Sequence, residues 1–179
     1  IIQNILVINQ YYIPDIASSG HLLSELCEGL VLKGHSVTVL TAQPCYEEDI
    51  PDQPSQEVIN GVKIIRTSMS KTKGRSNLGK RVLGYVRFLF QSWFAVNREL
   101  KAETYDLVMT LSNPPFVGVL GALISKKFGL PYYCVIYDIH PDIVRESEWI
   151  PLPGFLFNIW NRLMTWVIGV STKVVVLSE

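Results

Sequence analysis

Apolar and polar positions along the chain alternate in blocks that predict strands and helices in turn. Residues 4–10 form a nearly continuous apolar run, and a loop follows at residues 11–20. A helix over residues 21–33 and a second strand over residues 34–41 complete a βαβ unit. Small residues at the start of the helix allow a ligand to approach backbone N–H groups. The opening residues therefore predict the start of a parallel sheet.

The same alternation continues to the end of the chain. Further strands are predicted at residues 62–67, 106–111, 132–137 and 173–177, and further helices at residues 78–103, 116–128 and 155–168. The acidic, proline-bearing segment 46–56 is predicted to be an exposed loop, with a turn at Asn60-Gly61. Continuous apolar strands between helices indicate an α/β fold, a doubly wound parallel sheet with helices on both faces.

A sheet of this kind binds its ligand at the carboxyl ends of the strands, near the switch point. That rule selects three segments, at residues 11–20, 112–115 and 138–142.

Length and composition narrow the classes of protein. The 179 residues fit one domain, and a net charge of zero gives no reason to expect a nucleic-acid partner. Hydrophobic residues make up 48% of the chain, so part of the surface is expected to face a lipid or a second domain. Cys27, Cys45 and Cys134 lie too far apart in the sequence for a metal cluster or a disulfide framework. We expect no metal, a reducing cytoplasm, and burial of Cys27 and Cys134.

The longest apolar stretches do not predict a membrane span. Residues 88–96 are too few, and residues 154–170 are interrupted by Asn158, Asn161 and Arg162. Lysines and arginines do flank the aromatic helix 78–103, and tryptophan and phenylalanine recur at residues 149–160. This mixture suits a peripheral membrane contact. Packing of the aromatics against the sheet explains them as well and is the favoured interpretation.

The first loop ends in three small residues, Ser18, Ser19 and Gly20. One of the serines is predicted to be the N-cap of the helix. Gly20 would let a phosphate or sugar approach the free N–H groups and the positive end of the helix dipole. An ordinary capped helix start is the alternative.

Polar side chains follow two other strands. Asp138 comes directly after an apolar strand, where it can bond a sugar hydroxyl, and His140 can polarise or deprotonate an acceptor hydroxyl. Asp142 completes this cluster. The alternative is that an Asp before a proline caps a turn and that the lone histidine is a hydrogen-bonded structural residue. Ser112 and Asn113 would reach the same cleft, and a type I turn explains them equally well.

Two stretches together resemble a known family. They read ILVINQYYIPDIASSGHLLSELCEGLVLKGHSVTVLT and YDLVMTLSNPPFVGVLGALISKKFGLPYYCVIYDIHPD. The chain resembles the N-terminal domain of GT-B glycosyltransferases of the large retaining family 4. The closest likeness is to bacterial enzymes of the colanic-acid and O-antigen fucosamine-transferase kind.

The resemblance implies two Rossmann-like domains facing each other across a cleft. Residues 1–179 would be the single acceptor-side domain, and the donor-binding C-terminal domain would lie outside this chain, which alone would be inactive. Ser19 and Gly20 would lie beside the donor phosphates, where many relatives have paired glycines. Asp138 and His140 would be catalytic, while Ser112, Asn113 and Asp142 would bind substrate.

The resemblance also implies the substrates and the location. A nucleotide sugar would be the donor, as a co-substrate, with no cofactor and no metal. The acceptor would be a lipid-linked sugar in bacterial envelope polysaccharide synthesis. The hexosyltransferase would be cytoplasmic, with a peripheral position at the inner face of the membrane.

Two other functions fit parts of the sequence. A non-catalytic domain that binds a membrane surface would also explain the basic and aromatic segments. A nucleotide-dependent oxidoreductase or epimerase would need G-x-G-x-x-G after the first strand and an acidic residue ending the second. Residues 10–14 read QYYIP and residues 41–42 read TA, so this function is the least favoured.

Overall fold

A computed structural model describes residues 2–15, 17–44, 50–68, 78–114, 116–137 and 153–176. Its strands are β1 (Asn4–Ile8), β2 (Ser36–Ala42), β3 (Gln56–Ile59), β4 (Val62–Thr67), β5 (Leu107–Thr110), β6 (Tyr132–Ile136) and β7 (Lys173–Val176). The described helices are α1 (Ser18–Leu32), α2 (Leu78–Ala102), α3 (Val117–Phe128) and α4 (Gly154–Val170). No described helix is both long and apolar enough to cross a membrane.

The strands form one sheet in the order β3-β4-β2-β1-β5-β6-β7. Every neighbouring pair is parallel except β3 and β4. Central β1 is paired on both sides, with Ile8 opposite Leu40 of β2 and Thr110 of β5. The predicted doubly wound α/β sheet is confirmed.

The pattern of apolar residues does not predict the edge strand β3. It begins at the end of the segment predicted as a loop and pairs with β4 across the predicted turn at Asn60-Gly61. Both turn residues have positive φ, 50° and 81°, as a tight two-residue hairpin turn requires. The strand is short, and its side chains are exposed or half-buried on the edge of the sheet, so it lacks the apolar run by which the buried strands were found.

Helices cover both faces of the sheet. Leu23 and Cys27 of α1 pack on one face, in a cluster with Ile5 and Val7 of β1. The other face is covered by α2, α3 and α4. Buried side chains from all three helices, such as Phe88, Leu120 and Val167, join Leu6 and Ile8 in a second cluster. The predicted burial of Cys27 and Cys134 is confirmed, while Cys45 lies outside the described residues.

The predicted serine cap of α1 is wrong. The helix begins at Ser18, its N-cap is Ala17, and no side chain makes a capping hydrogen bond there. The carbonyl of Ala17 accepts the N–H groups of Gly20, at 2.8 Å, and His21, at 3.2 Å. Both serines therefore lie inside the first turn, where their side chains cannot serve as the cap.

Candidate functional site

The crevice of this sheet lies at the carboxyl ends of β1 and β5. From β1 the chain passes to α1 on one face, and from β5 it passes to α3 on the other. This divergence is the topological switch point, where open α/β sheets bind their ligands. Strands β1, β5 and β6 all end at this edge because they are adjacent and parallel, and the three predicted segments follow them in the sequence.

Two buried polar residues open the loop after β1. The side-chain amide of Asn9 donates to the carbonyl of Tyr11 at 2.7 Å, and the carbonyl of Gln10 accepts the Thr41 hydroxyl at 2.8 Å. Asn9 Oδ1 is buried and meets no donor within the described part of the chain. An unmatched buried acceptor costs about 1–3 kcal/mol, and such costs concentrate at functional sites. Both residues follow the end of β1, whereas the apolar run predicts them inside the first strand.

Gly20 brings α1 against this loop. A Cβ added to Gly20 would stand 3.4 Å from the carbonyl carbon of Tyr11 and from the nitrogen of Tyr12. The first turn of the helix thus packs directly on loop backbone, and a side chain larger than alanine would push the two apart. Ser19 is half-buried in the same turn. The structure places both residues at the predicted edge, and their contact with donor phosphates stays a prediction.

Arg66, at the end of β4, holds the same loop from the other side. Its side chain is only 1% exposed and forms an ion pair with Glu57 of β3. It also donates to the carbonyls of Ile13, at 2.9 Å, and Pro54, at 3.2 Å. Arg66 is not among the residues predicted for the site, and its one signal in the sequence is an arginine directly after the apolar pair at residues 64–65.

The loops after β5 and β6 are joined by a hydrogen bond. The hydroxyl oxygen of Ser112 accepts the backbone N–H of Tyr137 at 3.0 Å. Half-buried Asn113 follows, and its peptide bond to Pro114 is cis. Tyr137 immediately precedes Asp138, so Ser112 lies beside the start of that segment.

The acidic segment itself is not part of the described chain. Asp138, His140 and Asp142 lie outside the described residues, and their roles stay predictions.

The floor of the crevice is apolar and uncharged. Tyr12, Cys27 and Tyr137 belong to one hydrophobic cluster under the loop. Burial raises the pKa of Cys27 to about 12 and also raises the pKa of Tyr12 and of Tyr137. None of these three groups ionises near neutral pH. They shape the site and do not supply an acid or a base.

Alkylation should distinguish a buried thiol from a reactive one. With its pKa raised from 9.0 to about 12, Cys27 has a roughly thousandfold smaller thiolate fraction at pH 8. We expect native Cys27 to react with iodoacetamide at least about 100-fold more slowly than in urea, because the thiolate is the nucleophile. Mass spectrometry of the Cys27 peptide measures both rates, and equal rates would contradict the buried placement.

No group of three His, Cys, Asp or Glu side chains that could hold a metal ion occurs among the described residues.

Comparison with known protein families identifies one that matches most of the chain. The model of a family described as a glycosyl transferase 4-like domain matches residues 20–179. The chain belongs to this family. The match begins at Gly20 and includes α1, the loop after β5 and the acidic segment after β6. The resemblance inferred from the sequence is thus confirmed at the level of a family 4 glycosyltransferase domain.

Solved structures support the fold of this glycosyl transferase 4-like domain. The structure of apo UGT2 from Phytolacca americana aligns with a TM-score of 0.56 at 14% identity, covering 98% of this chain and 46% of that chain. At this identity the likeness shows the fold alone. The chain spans less than half the length of the plant protein. No curated protein matches the chain in a sequence comparison.

Proposed function

We propose that the protein transfers a sugar from a nucleotide sugar to a lipid-linked sugar acceptor in bacterial envelope polysaccharide synthesis. This chain would be the acceptor-side domain, working in the cytoplasm. The observation that carries the proposal is a glycosyltransferase-family domain in which β1, β5 and β6 end side by side at one edge of the sheet. The likeness of the quoted motifs to colanic-acid and fucosamine-transferase enzymes supports the acceptor class.

The donor would be held between this domain and a second one. The chain aligns with less than half of a plant structure of the same fold, which supports a two-domain arrangement. Ser19 and Gly20 would face the donor phosphates from the first turn of α1, where N–H groups and the helix dipole favour an anion. Ser112, Asn113 and Asp142 would contact the substrates from the other side of the crevice.

The reaction would retain the anomeric configuration. The bond between the anomeric carbon and the phosphate oxygen breaks while the acceptor hydroxyl bonds to that carbon on the same face. The acceptor proton passes to the leaving phosphate, so no strong protein base is required. Asp138 and His140 would orient the acceptor hydroxyl and the transferred sugar. No metal or further cofactor enters this scheme.

A donor panel tests the proposal. The full-length protein is incubated with UDP-, GDP- and TDP-sugars and a polyprenyl-diphosphate-linked sugar, and nucleotide release and labelled lipid are measured. We expect one donor to be consumed only when the acceptor is present, with the proton NMR coupling of the product showing the donor's anomeric configuration. An inverted product would refute retention. No consumption of any donor by the folded protein would refute the proposed transferase.

A further inference from the structure

The outward side of α2 carries an exposed apolar stripe. It consists of Leu83, Val86, Phe90 and Phe94, which follow one another at helical spacing and are 51–65% exposed. We call these four residues the outer stripe. The rings of Phe90 and Phe94 meet edge to face with centroids 4.8 Å apart, so they form one aromatic surface.

Folding of the sheet does not require the outer stripe. A helix that covers a sheet needs one apolar side, and α2 already buries Phe88, Ser92 and Val96 toward the core. The outer stripe lies on the opposite side of the same helix. Adjacent exposed apolar residues of this kind, unlike scattered ones, mark an interaction surface.

The helices on this side of the sheet carry mostly positive charge. Helices α2, α3 and α4 hold five, two and one lysines or arginines, against a single acidic residue, Glu99. Glu99 faces inward, where it accepts Lys63 Nζ at 2.6 Å and the Tyr105 hydroxyl at 2.9 Å. Helix α1, on the other face, holds two glutamates and no lysine or arginine. Eight of the chain's 16 lysines and arginines therefore lie on these three helices, but only one of its 16 aspartates and glutamates.

Lys126 and Lys127 of α3 are exposed and lie over aromatic rings of the neighbouring helices. Lys126 Nζ lies 5.3 Å from the ring centre of Trp166, and Lys127 Nζ lies 4.9 Å from that of Trp93. Cation–π contacts join α3 to both neighbouring helices without neutralising either lysine. No described lysine or arginine side chain of α2, α3 or α4 forms an ion pair with a described acidic residue.

We propose that the face formed by α2, α3 and α4 docks on an anionic lipid bilayer. The outer stripe would enter the headgroup region while the surrounding lysines and arginines meet lipid phosphates. A second copy of this face is a poor partner, because it would bring like charges together. Docking on a bilayer goes beyond the proposed transfer reaction. It rests on the proposed function in one respect, because docking would bring the domain to a lipid-linked acceptor.

Vesicle co-sedimentation tests the docking face. The full-length protein is mixed, without nucleotide sugar, with vesicles of phosphatidylcholine alone or with one third phosphatidylglycerol. We expect binding to the anionic vesicles only, weakened by high salt. Phe90→Ser/Phe94→Ser should lower the partition coefficient by at least about tenfold. Arg87→Gln/Arg98→Gln should lower it by roughly 30-fold, since each cation near an anionic surface contributes about a factor of five.

The matched control removes two exposed leucines from the opposite face. Leu22→Ser/Leu26→Ser changes α1, where both side chains are exposed, and should leave vesicle binding unchanged. Far-UV circular dichroism and the thermal midpoint confirm that each variant is folded. Equal binding to neutral and anionic vesicles, or an equal loss in the control, would overturn the proposal. So would a wild-type dimer that Phe90→Ser/Phe94→Ser converts to monomer without any vesicle binding. Each outcome is independent of transferase activity.

Discussion

Gly121→Ala is expected to lower the free energy of unfolding by about 2–3 kcal/mol, because the packing of α3 on the sheet leaves no room for a methyl group. The added Cβ would stand 2.6 Å from Thr110 Cγ2 and 2.6 Å from Tyr132 Cε2. Tyr132 cannot move aside, since it is fully buried and its hydroxyl bonds Thr110, at 2.6 Å, and the Gly118 carbonyl, at 3.2 Å. The overpacking cost therefore exceeds the gain in helix propensity, which is about 1 kcal/mol.

Gly29→Ala is the matched control for this prediction. Gly29 also lies inside a helix, α1, and an added Cβ there would meet nothing within 4 Å. We expect a gain in stability of about 0.5–1 kcal/mol, from helix propensity alone. Urea unfolding measures both variants. If Gly121→Ala proved as stable as Gly29→Ala, the close packing of α3 on β5 and β6 would be wrong.

Arg66→Met is expected to cost about 2–4 kcal/mol, because it removes the cation that joins the loop after β1 to the β3–β4 hairpin. The variant loses two hydrogen bonds to carbonyls and leaves Glu57 without its partner. Glu57 is 22% exposed and regains some hydration, which keeps the cost below the upper limit for a fully buried pair. Hydrogen exchange should also quicken at Ile13, whose carbonyl Arg66 holds.

Two further variants separate the ion pair from a general effect of losing a cation. Lys33→Met removes an exposed lysine after α1 and should change stability by less than about 0.5 kcal/mol. Arg66→Met/Glu57→Leu should be more stable than Arg66→Met alone, since no carboxylate is then left unpaired. If Arg66→Met and Lys33→Met had the same free energy of unfolding, the ion pair and hydrogen bonds of Arg66 would contribute nothing to stability.

The sequence predicted the parallel strands because strands buried on both faces read as continuous apolar runs. The runs at residues 4–10 and 132–137 predict their strands in this way, and the helices are predicted to within a turn of their ends. β3 gave no such signal, since its side chains lie on an exposed edge. Arg66 was missed for a related reason: its burial depends on Glu57, which belongs to the strand that was not predicted.

The candidate site was predictable in its position and less so in its detail. The rule for parallel sheets located the edge, and the hydrogen bond from Tyr137 to Ser112 ties one predicted segment to the residue just before another. The cap of α1 was not predictable, because residues 17–19 are three successive small residues and backbone geometry alone chose Ala17. The burial of Asn9 likewise depends on the path of the loop above it, which local sequence does not specify.

The most direct test of this account compares two aspartates in the donor and acceptor assay. Asp138 follows β6 at the carboxyl edge, whereas Asp106 precedes β5 at the opposite edge and accepts the Asn4 N–H at 2.8 Å. Both are replaced by alanine in the full-length protein, and kcat/KM for sugar transfer is measured on folded samples. We predict a loss of roughly 100-fold for Asp138→Ala, because misplaced reactants lose about that factor, and a change of less than about twofold for Asp106→Ala. Equal rates in the two variants would contradict a transfer site at the carboxyl edge.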